Sequence, residues 1–218
     1  MSRAPSLCGV ILAAGSSTRM GQDKALLPWP PLGPGKAADS GLQNFLSAAI
    51  EALSSLNDMV IVVSGKNASN LEAVVYANGA FLLVNPDPDR GQFSSLQVGL
   101  QEVLNRGRDA AMITLVDRPP PAPATLARLR TAFEMAVASG KWAIIPEYAG
   151  KHGHPIVIGR EMIEVFLKAP ASASARDVEH QHQQHIEYVS VADPFVTVNI
   201  NTPEDYASLA SVSLRQKR

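Results

Sequence analysis

The chain has 218 residues, 46% hydrophobic and 18% charged, which is enough apolar material for one globular domain with a sizeable core. Nineteen Lys and Arg against twenty Asp and Glu leave a formal net charge of −1, which excludes a general nucleic-acid or anionic-membrane surface. The single cysteine, Cys8, excludes an internal disulfide and suits a reducing cytoplasm, and no run approaches the roughly 18 apolar residues of a membrane helix.

Apolar, β-rich runs recur at 7–13, 58–64, 80–84, 110–116 and 142–146. The first follows Met1-Ser-Arg and has the outline of a signal peptide, but its short apolar run and cation-rich continuation read as a buried strand. Amphipathic stretches at 43–56, 67–78, 94–105 and 124–138 predict helices between the strands. The strands are continuously apolar, so both faces are expected to be buried. Strand alternating with helix then gives a three-layer α/β fold on a mostly parallel sheet, with ligands at the carboxyl ends of the strands.

Past residue 150 the pattern predicts a short strand at 155–158, helices at 160–168 and 175–185, and strands at 186–191 and 195–200. Thr202-Pro203-Glu204-Asp205 reads as the start of a last helix, with a threonine N-cap, proline in the first turn and acids behind it. The expected organisation is one domain over 1–218, with its core at about 7–210 and a frayed tail at 214–218. The Pro/Gly-rich 28–36 stretch reads as a surface excursion, and its Gly33-Pro-Gly35-Lys-Ala-Ala38 is no dinucleotide fingerprint because no strand precedes it.

Four segments fall at predicted strand ends and carry chemistry. The first is Leu12-Ala-Ala-Gly15-Ser-Ser-Thr-Arg19-Met-Gly-Gln-Asp-Lys24. Its spacing fits neither G-x-G-x-x-G nor G-x-x-x-x-G-K-[ST]. Gly15 permits close backbone approach, N–H groups around Ser16 to Thr18 can meet phosphate oxygens, Arg19 can grip phosphate bidentately and Lys24 adds a point charge.

The second segment is Val116-Asp117-Arg118-Pro119, where a strand ends on a carboxylate and prolines stop the sheet. A lone carboxylate facing a phosphate site is a good Mg²⁺ ligand, since Mg²⁺ takes one or two carboxylates plus substrate phosphates. The third is Asn199-Ile200-Asn201, read as extended with both amides on one side, so that either oxygen could complete a shell shared with Asp117. The fourth is the loop from Asn85 to Leu96. Its Gly91 and Ser94-Ser95 would suit a ribose or base, and equally a turn with a serine N-cap. The run Glu179-His180-Gln-His182-Gln-Gln-His185 reads as a solvated helix end and not as a metal centre.

Together these residues resemble the MobA-like nucleotidyltransferases, whose signature runs roughly L-A-[AG]-G-x-S-x-R-M-G-x-x-K. Val116-Asp117-Arg-Pro, the Asn85 to Leu100 loop and helix, Gly153-His154-Pro155 and Asn201-Thr-Pro-Glu-Asp205 resemble further family segments in order. Leu12-Ala-Ala-Gly15 is similar to the molybdenum cofactor cytidylyltransferase branch, where guanylyltransferases usually carry Leu-Ala-Gly-Gly. Asn199 and Asn201 stand where that branch usually has aspartates, and its G-D-x-G-A-R-type segment is reduced to Ser174-Ala-Arg-Asp177.

The resemblance implies a Rossmann-like α/β/α fold of the nucleotide-diphospho-sugar transferase type. It implies NMP transfer, CMP from CTP above all, to a phosphorylated acceptor such as molybdopterin, with Mg²⁺ as cofactor and a molybdoenzyme or chaperone as recipient. Arg19, Lys24 and Asp117 would be catalytic. Leu12, Ala13, Ala14, Gly15, Ser16, Arg19, Lys24, Ser64, Asn85, Gly91, Ser94 and Ser95 would bind the nucleotide. Asp117 and Asn201 would hold the metal, and His154 and Asn199 would meet the acceptor. The readings beside it are an NTP transferase for a sugar, alditol or isoprenoid phosphate, and a non-catalytic nucleotide-binding regulator or cofactor-delivery module. Neither nucleic acid nor membrane is expected as a partner.

Overall fold

Side chains on β1 (Leu7–Leu12) alternate between two apolar layers, and that alternation sets the architecture. Leu7 and Ile11 pack with Leu46, Ile50 and Leu53 of α1 (Phe45–Ser54), Leu71 and Val75 of α2 (Ala68–Ala77), and Leu126, Leu129 and Phe133 of α4 (Pro123–Ala138). Cys8, Val10 and Leu12 pack on the opposite face with Phe93, Leu96 and Leu100 of α3 (Gln92–Asn105), Met162 and Phe166 of α5 (Arg160–Lys168), and Val178 of α6 (Ala175–Gln181). The result is the expected three-layer α/β fold, here a computed structural model that describes residues 5–31, 43–170 and 172–213.

The remaining strands of the sheet are β4 (Met59–Ser64), β5 (Phe81–Val84), β6 (Ala110–Leu115), β7 (Ala143–Tyr148), β8 (Lys151–His152), β9 (Ile156–Gly159) and β10 (Ile186–Ser190). Their order is β10-β7-β9-β6-β1-β4-β5, with β8 paired to β7. All pairings are parallel except those made by β8 and β9. Because β9 runs against β6, with Ile156 beside Ile113, the start of β9 lies at the same sheet edge as the end of β6.

A third cluster covers that edge. The two-residue strand β2 (Pro28–Trp29) pairs antiparallel with β3 (Gln43–Asn44), so the start of the 28–36 excursion is held by strand pairing; residues 32–42, including the Gly33 to Ala38 run, lie outside the described residues. Trp29 meets Phe45 and Phe195 edge-on at 5.1 and 5.9 Å, and Met20, Leu27, Ile200 and Leu209 complete the cluster. Edge-to-face aromatic contacts of this kind fix both position and orientation.

Among the boundaries that differ from the expectation, such as α3 starting at Gln92 and not at 94, three have a visible cause. The strand expected at 195–200 is a 3-10 turn, Pro194–Thr197, because Asp193 Oδ1 accepts from Phe195 N (3.0 Å) and Pro194 starts the turn. The helix expected at 175–185 ends at Gln181 and resumes as a 3-10 turn, while His185 stacks on Trp142 at 3.6 Å. Helix α1 starts at Phe45, not residue 43, because Asn44 and Ser47 form a capping box. Helix α7 (Pro203–Ser213) begins as expected: Thr202 Oγ1 accepts from Asp205 N at 3.2 Å. Among the described residues no helix is long and apolar enough to cross a membrane.

Candidate active site

The loop after β1 leaves the sheet only after Ala13 N has donated to Val63 O (2.8 Å). It then makes two short 3-10 turns, Thr18–Met20 and Lys24–Leu26, joined through Gly21 at φ 75°. Ser17 ahead of them sits in the left-handed region (φ 50°, ψ 26°), a conformation unfavourable for a residue with a Cβ. Lys24 N donates to Ser17 Oγ at 3.2 Å, which ties the strained residue to the lysine. Asp23 Oδ1 caps the second turn through Ala25 N at 3.1 Å.

Asn67, just past the end of β4, locks this loop to the sheet. Its Nδ2 donates to Ala13 O (3.0 Å) and Asp23 Oδ2 (2.7 Å), and its Oδ1 accepts from Gly65 N (3.1 Å). One amide therefore spans the ends of two strands and the turn that carries Lys24. Sequence reasoning missed it; the available signal was a polar side chain immediately after a buried parallel strand.

The loop delivers Lys24 into a network with the far end of the chain. Lys24 is 9% exposed, and its Nζ donates to Asp117 Oδ2 (3.2 Å) and Asn201 Oδ1 (3.3 Å). Arg19, itself exposed, donates from Nη2 to the same Asn201 oxygen at 3.3 Å. Asn201 reaches this position because Ile200 N donates to Asp117 O (2.9 Å) and Asp205 Oδ2 accepts from the N–H groups of Asn201 and Thr202 (2.8 and 2.9 Å). Those bonds hold the Asp205 carboxyl below its usual range.

Asp117 Oδ1 is buried and has no hydrogen-bond partner. An oxygen in that state, with an amide oxygen across the same ammonium, is the donor set a hard divalent cation takes. Among the described residues no group of three or more His, Cys, Asp or Glu could hold a metal alone, so phosphate oxygens would have to complete the shell.

A cavity of about 820 Å³ opens in front of this network. Leu12, Ala14, Gly15, Ser16, Lys24, Gly91, Ser95 and Asp117 line it, as do Asn67 and the ion pair Lys66–Asp89 (2.7 Å), which sequence reasoning also missed. A Cβ on Gly15 would meet nothing of the protein within 4 Å, so it would project into open space at the wall. Gly65 is different: a Cβ there would meet Ala14 O at 2.9 Å and the Ala14 methyl at 3.3 Å, so β4 and the loop touch directly.

Three residues expected to touch the nucleotide are instead built into the wall. Ser64 is fully buried and donates to Leu83 O at 3.3 Å. Asn85 is 3% exposed, and its Nδ2 is spent on Ser94 Oγ and Ser95 Oγ, both at 2.9 Å. Ser94 Oγ donates to Gly91 O at 2.8 Å. Parallel pairing of β5 with β4 points Asn85 inward, so this group braces the loop and leaves Gly91 and Ser95 at the cavity. Ala13 is likewise buried and contributes its carbonyl to Asn67.

Asn199 and Asn201 part company, because the segment that was to align them is not a strand. Asn199 is exposed, whereas Asn201 Oδ1 accepts from Lys24 and Arg19; neither asparagine lines the cavity, and nor does Arg19, which was expected to bind the nucleotide. His154 lies beyond Asp117, on the β9 side. Its N donates to Val196 O (2.8 Å), and a Cβ on neighbouring Gly153 would overlap that same carbonyl. The residue is half-buried, but Nδ1 is fully buried and unpartnered. Burial, then the Arg118 guanidinium nearby, pushes its pKa down to about 3, so the imidazole is neutral.

A family model described as the MobA-like NTP transferase domain matches residues 9–186. The chain belongs to that family. Among curated proteins, this MobA-like chain is 29% identical over 204 residues to a molybdenum cofactor guanylyltransferase of Xanthomonas euvesicatoria, covering 92% of this chain and 93% of the relative. It is 25% identical over 199 residues to the molybdenum cofactor cytidylyltransferase of Escherichia coli, covering 90% and 92%. Among solved structures, Rv0371c of Mycobacterium tuberculosis matches with a TM-score of 0.77 at 27% identity, over 96% of this chain and 100% of that one. A manganese complex of the same protein matches with a TM-score of 0.73 at 25% identity, over 94% and 98%. The fold is thus shared with Rv0371c over nearly the whole of both chains.

Proposed function

We propose that this nucleotidyltransferase transfers CMP from CTP to the phosphate of a molybdopterin-type acceptor and releases pyrophosphate, with Mg²⁺ as cofactor. The observation that carries the reading is the Lys24–Asp117–Asn201 network at the end of a glycine-loop cavity. An oxygen of the acceptor phosphate attacks the α-phosphorus. The new O–P bond forms as the bond to the β-phosphate oxygen breaks, and pyrophosphate leaves with the electron pair. A phosphate nucleophile is already anionic at neutral pH, so no general base is required and the work is positioning and charge stabilisation.

The loop N–H groups around Gly15 and Ser16 cradle the phosphates, and Arg19 and Lys24 neutralise the departing pyrophosphate. Asp117 and Asn201 would hold Mg²⁺, which would supply charge neutralisation of the phosphates when bound. Asn67 keeps Lys24 in register by tying its turn to the strand ends. The preference for CTP is supported by Ala14, which lines the cavity at the position where Leu12-Ala-Ala-Gly15 differs from a Leu-Ala-Gly-Gly run. The curated relatives carry both cytidylyl and guanylyl names, so CTP and GTP are the two substrates to compare.

The test is pyrophosphate release with CTP, GTP, ATP and UTP, each with and without molybdopterin. Release with CTP that requires acceptor and Mg²⁺ supports the reading. Release only with sugar or alditol phosphates would move the acceptor class, and tight nucleotide binding without release would make the protein a regulator.

A further inference from the structure

We infer that Arg118, together with His154, binds the anionic phosphate of the acceptor on the side of Asp117 away from the nucleotide cavity. The inference rests on the nucleotidyl-transfer reading above and adds a residue that the reading leaves unused.

The sheet order places the two substrates. The cavity is walled by the ends of β1, β4 and β6 and by the loop after β5, and along β6 its wall stops at Asp117. Arg118 is the next residue, and its guanidinium turns to the other side, where Nη1 meets Val196 O at 3.4 Å. His154 donates to that same carbonyl from its backbone N–H, and it opens β9, which flanks β6 opposite β1. The Arg118–His154 corner therefore lies in the half of the sheet edge that the nucleotide cavity does not use.

The polar groups in this corner are under-used. Arg118 Nε and His154 Nδ1 are both buried without a partner. A guanidinium offers five N–H donors, and here one bond at the limit of hydrogen-bonding distance is formed. Asp117 makes its ion pair with Lys24 and acts on Arg118 as a nearby charge, and among the described residues no carboxylate forms an ion pair with Arg118. A half-buried cation with idle donors is costly to maintain unless an anion meets it, and phosphate matches the guanidinium fork bidentately.

The reaction supplies that anion. Attack by a phosphate on a triphosphate brings two strongly negative groups together. Lys24 lines the nucleotide cavity, so a second cation on the attacking side would hold the acceptor against this repulsion. Arg118 adjoins Asp117, so it holds the acceptor phosphate next to the metal ligand without sharing its ion pair. Neutral His154 beside it can donate or accept one hydrogen bond without adding to the charge.

The experiment uses inorganic phosphate as the probe for the acceptor phosphate. It is titrated calorimetrically into the full chain saturated with Mg²⁺ and α,β-methylene-CTP, for the wild type, Arg118→Gln and Arg118→Lys. Arg118→Gln should weaken phosphate binding by about 10- to 100-fold, as for loss of a charge-assisted contact, with the CTP analogue bound within about twofold of wild type. Arg118→Lys should fall between. In turnover, the acceptor KM should rise while the CTP KM stays constant. Unchanged phosphate affinity in Arg118→Gln, or no phosphate binding by the wild-type ternary complex, would overturn the proposal. An equal loss of CTP-analogue and phosphate affinity would also overturn it, by making Arg118 a structural support of Asp117. Should Arg118→Gln unfold, the Arg118→Lys comparison still decides. Failure of the nucleotidyl-transfer reading has a different signature, in which no NTP releases pyrophosphate whatever the state of Arg118.

Discussion

Lys24 Nζ stands 3.2 Å from Asp117 Oδ2, across 93 residues of sequence, and 3.3 Å from Asn201 Oδ1. The ammonium therefore lies between the Asp117 carboxylate and the Asn201 amide, the two groups proposed to hold the metal. An ammonium and a divalent cation cannot share that gap without repulsion, so metal entry should turn Lys24 toward the phosphates.

Lys24→Met tests this directly. Turnover should fall roughly 10²-fold or more through loss of a transition-state charge contact. Mn²⁺ affinity without nucleotide, followed by electron paramagnetic resonance, should rise. Weaker Mn²⁺ binding would show that Lys24 supports the metal site instead of competing for it.

Base choice should respond to Ala14. Removing its methyl in Ala14→Gly enlarges the cavity that Ala14 lines, and the ratio of GTP to CTP in kcat/KM should increase about tenfold, the usual scale for one carbon in a pocket. An unchanged ratio would place base selection elsewhere in the cavity.

Gly153→Ala should be costly although the residue is small. The added methyl overlaps the Val196 carbonyl, so the loop or the Pro194–Thr197 turn must shift. Destabilisation of about 1–3 kcal/mol is expected in urea unfolding. A neutral substitution would mean that this corner is softer than its contacts indicate.

Acid should act through His154. Its pKa is pushed from 6.5 down to about 3 in the fold, so the unfolded chain binds the extra proton. Its contribution is therefore present above pH 6.5 and is lost as pH falls from there toward 3. Unfolding of His154→Gln should change less between pH 7.5 and pH 5 than unfolding of the wild type. Equal changes would show that His154 titrates normally.

Much of the fold was legible because parallel strands buried on both faces leave continuous apolar runs, as at residues 7–12 and 59–64. Arg19, Lys24 and Asp117 stood out because strand-end cations and a carboxylate before prolines have few structural uses. What stayed hidden depends on where a polar side chain turns. Asn85 and Ser94 look like ligand contacts in the chain but face each other inside the wall. Asn67 stands at the start of α2 as expected, but its side chain bridges Ala13 to Asp23 and does not cap the helix. The 195–200 run is apolar enough for a strand, and a single cap from Asp193 turns it into a 3-10 turn.

The central claim is that CMP passes to an acceptor phosphate at the Asp117–Lys24 site. The most direct measurement follows the label of α-³²P-CTP in single turnover with Mg²⁺ and molybdopterin, for the wild type and Asp117→Ala. The account predicts label in the acceptor, equimolar with pyrophosphate, and none for Asp117→Ala. Label transfer by Asp117→Ala at the wild-type rate, or none by the wild type despite bound CTP, would contradict it.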